Sequence, residues 1–337
     1  MKIKLGSLRL PDELQGFVSE FEATVPDGIG DKLGEFGEES VGFPMLLGEV
    51  LSVFSARGSE LCAFFLFVLG AVMLMSLVSV ISGKLGRVAE YAATLIVSVG
   101  IFSRIYAVFE SSLSAIDGVM RFFTSFIPIL TAAIAFGGGG ASAAVGGAGA
   151  GMTLGIMGAF VIPLLKSCVP LILSLGLVGG TSGLAGRVKS FFLWVTGIAS
   201  VLLLSSLALQ STIASSSDTA AMRAVKYAAS GAIPIVGGSV SSAMGTLAAS
   251  VGFVKSVIGT GAITVMLLTV LSPLVMLILY RMILSLGEGM LDFLGVGGVR
   301  VFAAFRSAVD TLAAVFSLSV TVLIIETAFL MKSGVAV

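Results

Sequence analysis

Long apolar stretches constrain this chain more than any other feature of its sequence. Hydrophobic residues make up 57% of its 337 residues and charged residues only 11%, whereas a soluble domain carries about 25% charged residues. A helix that crosses the roughly 30 Å hydrocarbon core of a bilayer needs about 20 apolar residues. The sequence therefore predicts an all-α, polytopic membrane protein. Six stretches are long enough to be spans, namely 61–82, 88–109, 152–180, 188–212, 261–286 and 307–331.

Two further apolar segments are too short or too interrupted to count as spans. The first, residues 121–140, contains Pro128 and ends in four glycines; the second runs from RAVKYAASGAIPIVGGSVSSAMG at 223–245 to residue 259. Proline removes a backbone donor, and glycine favours a helix end. We therefore expect a re-entrant or broken helix at each, with 231–258 forming a hairpin packed against 121–140. Such breaks survive in a membrane only inside protein or beside a water-filled cavity.

The two interrupted segments resemble each other. Each places Ile-Pro-Ile before a run of small residues, and each is followed by a proline-containing span, a basic loop and a final span. This pattern predicts an internal duplication of about 115–212 and 217–331 within a membrane domain that covers 61–337. Chance similarity between apolar segments of low complexity is the alternative.

The first 60 residues form an acidic head. They hold eleven of the nineteen acidic residues and five of the nineteen basic ones. Apolar residues recur at helical spacing from Leu14 to Phe21, so we expect short amphipathic helices; a disordered tail is the alternative. The first residues lack the apolar core of a signal peptide, so either the head stays in the cytosol or a signal was removed. An acidic head before a mildly basic membrane domain argues against nucleic acid as a partner.

Nothing in the sequence indicates catalysis. The chain has no histidine and only two cysteines, too few for a metal site, and we find no phosphate-binding loop, nucleophile elbow or paired carboxylates. We therefore expect no enzyme activity, no metal and no cofactor. Cys62 and Cys168 both lie in apolar runs, where two packed thiols are favoured over a disulfide.

Two charged residues lie at membrane depth. Lys166 is near the middle of the span 152–180, and Glu326 lies within the last span. Because a charge at the centre of a bilayer is costly, each should face protein or water. Lys166 either lines a cavity or is satisfied by carbonyl groups freed by Pro163 and Pro170, and Glu326 is a candidate partner. Tyr280 is expected to be an interface anchor.

The polar residues of the second interrupted segment are the most specific part of the sequence. Residues 219–230 read as an interfacial amphipathic helix that leads into the break, and Lys226 and Lys255 are expected at one interface. Together with the SFIPILTAAIAFGGGGASAA stretch, this pattern resembles the stage III sporulation protein AE family, and the similarity extends over essentially the whole chain. The residues that carry it are Asp218, Arg223, Lys226, Pro234, Gly237, Lys255 and Gly259.

The resemblance implies a function that composition does not give. Members of this family are polytopic components of the transenvelope complex that links the mother cell to the engulfed forespore, acting as a channel or a secretion-like apparatus. It implies an extracytoplasmic head, and it implies as partners a cytosolic ATPase, small membrane proteins, ring-forming proteins between the membranes and further copies of the chain. The alternative is a secondary transporter, in which broken helices of two repeats meet near the bilayer midplane.

The basic loops give a prediction of membrane orientation. Positive charge in short loops marks the cytoplasmic side, and with six spans the pairs Lys84/Arg87, Arg187/Lys189 and Arg300/Arg306 all lie on one side. Reporter fusions after Arg87, Lys189 and Arg306 are expected to show cytoplasmic location. Opposite sides for the first two fusions would contradict the re-entrant character of 121–140.

Overall fold

The computed structural model describes residues 12–26, 29, 43–81, 83–177, 186–201, 204–205, 208, 212 and 237–332. These residues are mostly helical and contain no strand. The helices are α1 (Asp12–Thr24), α2 (Phe43–Ser79), α3 (Gly83–Phe136), α4 (Gly140–Ile156), α5 (Ile162–Leu177), α6 (186–201), α7 (Gly237–Phe293) and α8 (Val299–Lys332). A five-residue π-helical segment, Met157–Val161, joins α4 to α5.

The predicted all-α, polytopic fold class is confirmed. Five helical stretches in the described part of the chain are long and apolar enough to cross a membrane. They correspond to five of the six predicted spans, and the described part of the sixth, 188–212, is helical over 186–201. The five stretches are Leu47–Ser79, Leu85–Phe136, Gly140–Leu175, Val251–Phe293 and Val299–Lys332.

Helices α3 and α7 are far longer than one membrane span. They contain 54 and 57 residues, which corresponds to about 80 and 85 Å at about 1.5 Å per residue. The hydrocarbon core is about 30 Å thick, and spans tilt by about 0–40°. Neither helix therefore fits in the hydrocarbon over its whole length.

The structure differs from the sequence prediction in where the helices break. Pro128 lies inside α3, so the helix that covers 88–109 continues without interruption into 121–136. The residues around the proline, Ile127, Ile129 and Leu130, are buried. Their packing stabilises the helix although Pro128 has no N–H for the backbone hydrogen bond. Residues 237–258 are likewise the first turns of the continuous helix α7 and do not form a hairpin.

Glycines end the two long helices in the same way. After α3, Gly138 has φ of 86°, and the Gly139 N–H donates to the Ile134 carbonyl at 3.0 Å. After α7, Gly295 has φ of 64°, and the Val296 N–H donates to the Leu291 carbonyl at 3.1 Å. Both are Schellman caps, which need a residue with positive φ that glycine adopts without strain. The chain therefore reverses after Phe136 and Phe293.

The α7–α8 pair forms the centre of the bundle. Helices α2, α3 and α5 pack around it, and the large side chains Phe302, Phe305 and Phe316 of α8 are fully buried. Three helices meet at Gly287. A β-carbon at this position would lie 2.7 Å from both Phe302 Cε1 and Val68 Cγ1. Small residues at such crossings let helix backbones approach closely.

The acidic head includes the predicted amphipathic helix. In α1, Phe21 is buried, and its ring lies 6.0 Å from the Phe126 ring of α3. The predicted domain boundary at residue 60 falls inside the continuous helix α2. Residues 213–236 lie outside the described residues, so the proposed duplication remains a prediction.

Gly287 and Gly289 provide a matched test of the packing. A β-carbon on Gly289 meets nothing within 4 Å, so Gly289→Ala should stabilise the helix by up to about 1 kcal/mol. Gly287→Ala should lower the melting temperature, because overpacking costs about 1–3 kcal/mol. Thermal unfolding of the purified protein in nanodiscs measures both effects. Equal stabilisation by the two changes would contradict the proposed three-helix contact.

Candidate functional site

The predicted site residues fall into two groups. Asp218, Arg223, Lys226 and Pro234 lie outside the described residues, as does the predicted interfacial helix 219–230. Pro128, Lys166, Gly237, Lys255, Gly259 and Glu326 are described, and Gly237 is the first residue of α7.

The described residues of the second interrupted segment pack near the end of α3. A β-carbon added to Gly137 would lie 2.6 Å from Val251 Cγ1 of α7. This contact is part of the predicted packing of 231–258 against 121–140. Further along α7, Lys255 is half-buried, and Gly259 touches the side chain of Met331 on α8. The α3–α4 turn, the early part of α7 and the end of α8 therefore meet at one end of the bundle.

Lys166 and Glu326 do not form the predicted pair. Lys166 is exposed on α5, beside the exposed residues Pro163 and Ser167. Glu326 is only 1% exposed, and neither carboxyl oxygen has a hydrogen-bond partner among the described residues. Lys166 therefore points outward from the bundle, and Glu326 points into its interior.

Helix α3 carries an exposed polar face that the sequence analysis missed. Arg87 and Glu90 are exposed near its start, and from Tyr91 to Val99 its exposed large side chains are apolar. Beyond Val99 the exposed residues repeat at helical spacing and are small or polar, and no large apolar side chain is exposed again before Phe136. The exposed residues of this polar face are Ser103, Ala107, Glu110, Ser114, Arg121, Thr124 and Ser125.

An ion-pair cluster links three helices. Asp310 of α8 accepts from Arg281 Nε of α7 at 2.6 Å and from Lys189 Nζ of α6 at 3.1 Å. Nearer the α7–α8 turn, Arg306 lies 2.9 Å from Glu288, an ion contact without the angular geometry of a hydrogen bond. Lys189 and Arg306 were predicted to lie in loops, and their acidic partners were not predicted, because both partners lie on other helices.

Tyr280 is not an interface anchor. Its ring is 1% exposed and stacks on the Phe64 ring with the centroids 4.3 Å apart. Its hydroxyl group donates to Glu60 Oε1 at 3.2 Å. The side chain of Tyr280 is therefore part of the contact between α2 and α7, where its apolar ring is buried and its hydroxyl group is hydrogen-bonded to Glu60.

Comparison with known proteins decides the family. The model of the family described as stage III sporulation protein AE matches residues 39–332. The chain belongs to this family. Neither the curated proteins nor the solved structures yield a match. The matched region begins before α2 and ends at the last residue of α8, so it includes the polar face of α3, the ion-pair cluster and Glu326.

In this member of the stage III sporulation protein AE family, Asp310 is expected to stabilise the bundle. Asp310→Asn leaves Lys189 and Arg281 without a counterion, and the pairs are partly buried, with 21% exposure at Asp310. We expect a loss of about 1–2 kcal/mol, between the values for exposed and for buried pairs.

A matched control is Arg57→Ala, which removes an exposed pair with Glu60 at 3.6 Å and should change stability by less than about 1 kcal/mol. Chemical denaturation of both variants in the same detergent gives the comparison. If Asp310→Asn is no more destabilising than Arg57→Ala, the cluster has no stabilising role.

Proposed function

We propose that this protein is a membrane subunit, a conduit or assembly component, of the sporulation complex that connects mother cell and forespore and supports forespore development. Membership in a sporulation family and the five apolar helices support this proposal. The proposed partners are a cytosolic ATPase, small membrane proteins, ring-forming proteins between the two membranes and further copies of this chain. The proposed role is not enzymatic.

The observation that carries the proposal is the polar face of α3. Between Tyr91 and Val99 the helix exposes apolar side chains, as a lipid-facing helix does, and then it exposes Glu110, Arg121 and neighbouring hydroxyl groups over 103–125. Ionisable side chains within membrane helices face protein or a water-filled cavity, because exposure to lipid is costly. A subunit of a membrane complex provides such surroundings, either as a subunit contact or as the wall of a conduit.

Lys166 supports the same interpretation independently. It is exposed on α5 within the candidate span Gly140–Leu175, where lipid would not solvate its ammonium group. A neighbouring subunit or a water-filled path would do so. A closed secondary transporter needs its polar groups to converge inside one chain, whereas Lys166 and the polar face of α3 both point outward.

We further propose that the protein lies in the mother-cell membrane around the forespore with its acidic head on the extracytoplasmic side. The distribution of basic loops along the sequence supports this orientation. The contact of Glu90 with Gly297 and of Met75 with Gly298 is consistent with it, since it brings the α2–α3 and α7–α8 connections together at one end of the bundle.

Photo-crosslinking along α3 tests the proposed subunit role. A photo-reactive amino acid at Ser114, on the polar face, is expected to give protein adducts in sporulating cells, identified by mass spectrometry as subunits of the complex. The same group at Ile96, exposed on the apolar part of the helix, should give few protein adducts because lipid covers it.

The outcome at Ser114 also separates the alternatives. Adducts with other subunits favour an assembly contact. Absence of adducts together with labelling of Ser114→Cys by an impermeant thiol reagent would show that the polar face meets water, either in a conduit or beyond the hydrocarbon. If Ser114 gives neither adducts nor labelling in sporulating cells, both the subunit contact and the conduit are contradicted.

A further inference from the structure

Glu326 is a buried acid that the structure leaves without a counterion. It lies on α8 with 1% exposure, and both of its oxygens lack a hydrogen-bond partner among the described residues. The hydroxyl group of Thr153 on α4 lies beside this carboxyl group, is fully buried, and makes no hydrogen bond of acceptable geometry. Two unsatisfied polar groups therefore face each other across the α4–α8 interface.

Thr153 differs from the other buried threonines that the structure describes. Thr196, Thr264, Thr311 and Thr327 each donate to the carbonyl group four residues earlier, at 2.7–2.9 Å. This local bond is the usual way in which a threonine in a helix satisfies its hydroxyl group. Thr153 does not make it, so its hydroxyl group remains available to Glu326.

Among the described residues, no charged neighbour compensates Glu326. Helix α4 and residues 122–136 of α3 contain no ionisable side chain, and on α5 Lys166 is exposed and Cys168 is only partly buried. On α7 the nearest cation along the helix is Lys255, which is half-buried, and neither oxygen of Glu326 is hydrogen-bonded to it. Lys332, on α8 itself, is exposed. A carboxylate here would be a buried charge without a partner, which proteins avoid by keeping the group neutral.

We propose that Glu326 and Thr153 form a proton-binding site between α8 and α4. A protonated carboxyl group has one O–H donor, which the Thr153 oxygen can accept while the Thr153 hydroxyl group donates elsewhere or to the second carboxyl oxygen. Glu326 and Thr153 offer three side-chain oxygen atoms, fewer than the six to eight oxygen ligands that a calcium ion takes. A proton is therefore the ligand that fits the site.

The position of Thr153 links this site to helix α4. Helix α4 lies between the glycine turn at Gly138 and the π-helical segment Met157–Val161. It packs on α8 through Gly146, which touches the Leu330 side chain one turn from Glu326. Loss of the proton would place a carboxylate in this interface, so α4 separates from α8 when Glu326 ionises. The proposal does not depend on the role assigned to the polar face of α3.

Infrared spectroscopy of the full-length protein in nanodiscs tests the protonation state. The wild-type protein at neutral pH should show the carbonyl stretching band of a protonated carboxyl group, and Glu326→Gln should lose it. Thr153→Val keeps the shape of the side chain and should shift the band without removing it. Absence of the band in the wild-type protein, or its persistence in Glu326→Gln, would overturn the proposal.

Disulfide trapping tests the coupling to α4. In a Cys62→Ser/Cys168→Ser background, the Gly146→Cys/Leu330→Cys pair reports the docking of α4 on α8. As pH rises, trapping with Glu326 present should fall relative to trapping in the Glu326→Gln variant, which corrects for the pH dependence of thiol oxidation. A ratio that stays constant across the pH range would show that Glu326 does not control the docking of α4.

Discussion

The structure depends on one constraint: the backbone hydrogen bonds of a chain in lipid must be satisfied within helices. A chain that is 57% hydrophobic and 11% charged meets this constraint by forming helices, and in this protein the helices continue far beyond the thickness of a bilayer. Because glycines, and not prolines, end α3 and α7, the two helices reach 54 and 57 residues. Their length brings surfaces of different polarity onto the same helix.

The packing around α7 and α8 fixes which side chains face inward. Close contacts at Gly259 and Gly287 bring α8 against α7 and leave space for the large aromatic side chains of α8. The same packing buries Glu326 at one end of the bundle, and it exposes Lys166 and the polar residues of α3. Function therefore arises from polar groups in places where a membrane protein usually has apolar ones: Lys166 and the polar face of α3 on the surface of the bundle, and Glu326 in its interior.

Much of the fold follows from the sequence alone. Apolar stretches of about 20 residues predicted the membrane class and the approximate position of the spans, because the length of a span is set by the bilayer. The predicted helix break at Pro128 was wrong. Packing of the buried neighbours stabilises the helix across the proline, and this tertiary packing is not visible in the local sequence. The glycine run after Phe136 was recognised, but which of its residues ends the helix depends on a positive φ at Gly138.

The candidate sites were harder to predict. Lys166 and Glu326 stood out as charges in apolar stretches, but their lack of contact depends on helix rotation, which a sequence does not fix. Asp310 was missed because its partners come from α6 and α7, 121 and 29 residues away along the chain. The polar face of α3 was missed because its residues are widely spaced among buried apolar ones.

The central claim is that α3 faces lipid from Tyr91 to Val99 and leaves lipid after Val99. Spin labels at exposed positions from Leu85 to Phe136 measure this directly through their accessibility to oxygen, which enriches in lipid, and to a water-soluble nickel complex. The account predicts access to oxygen at Leu95 and Ile96, and access to nickel or protection by subunits at Ser114 and Thr124. High access to oxygen at Ser114 and Thr124 would contradict it, because the polar face would then lie in the hydrocarbon.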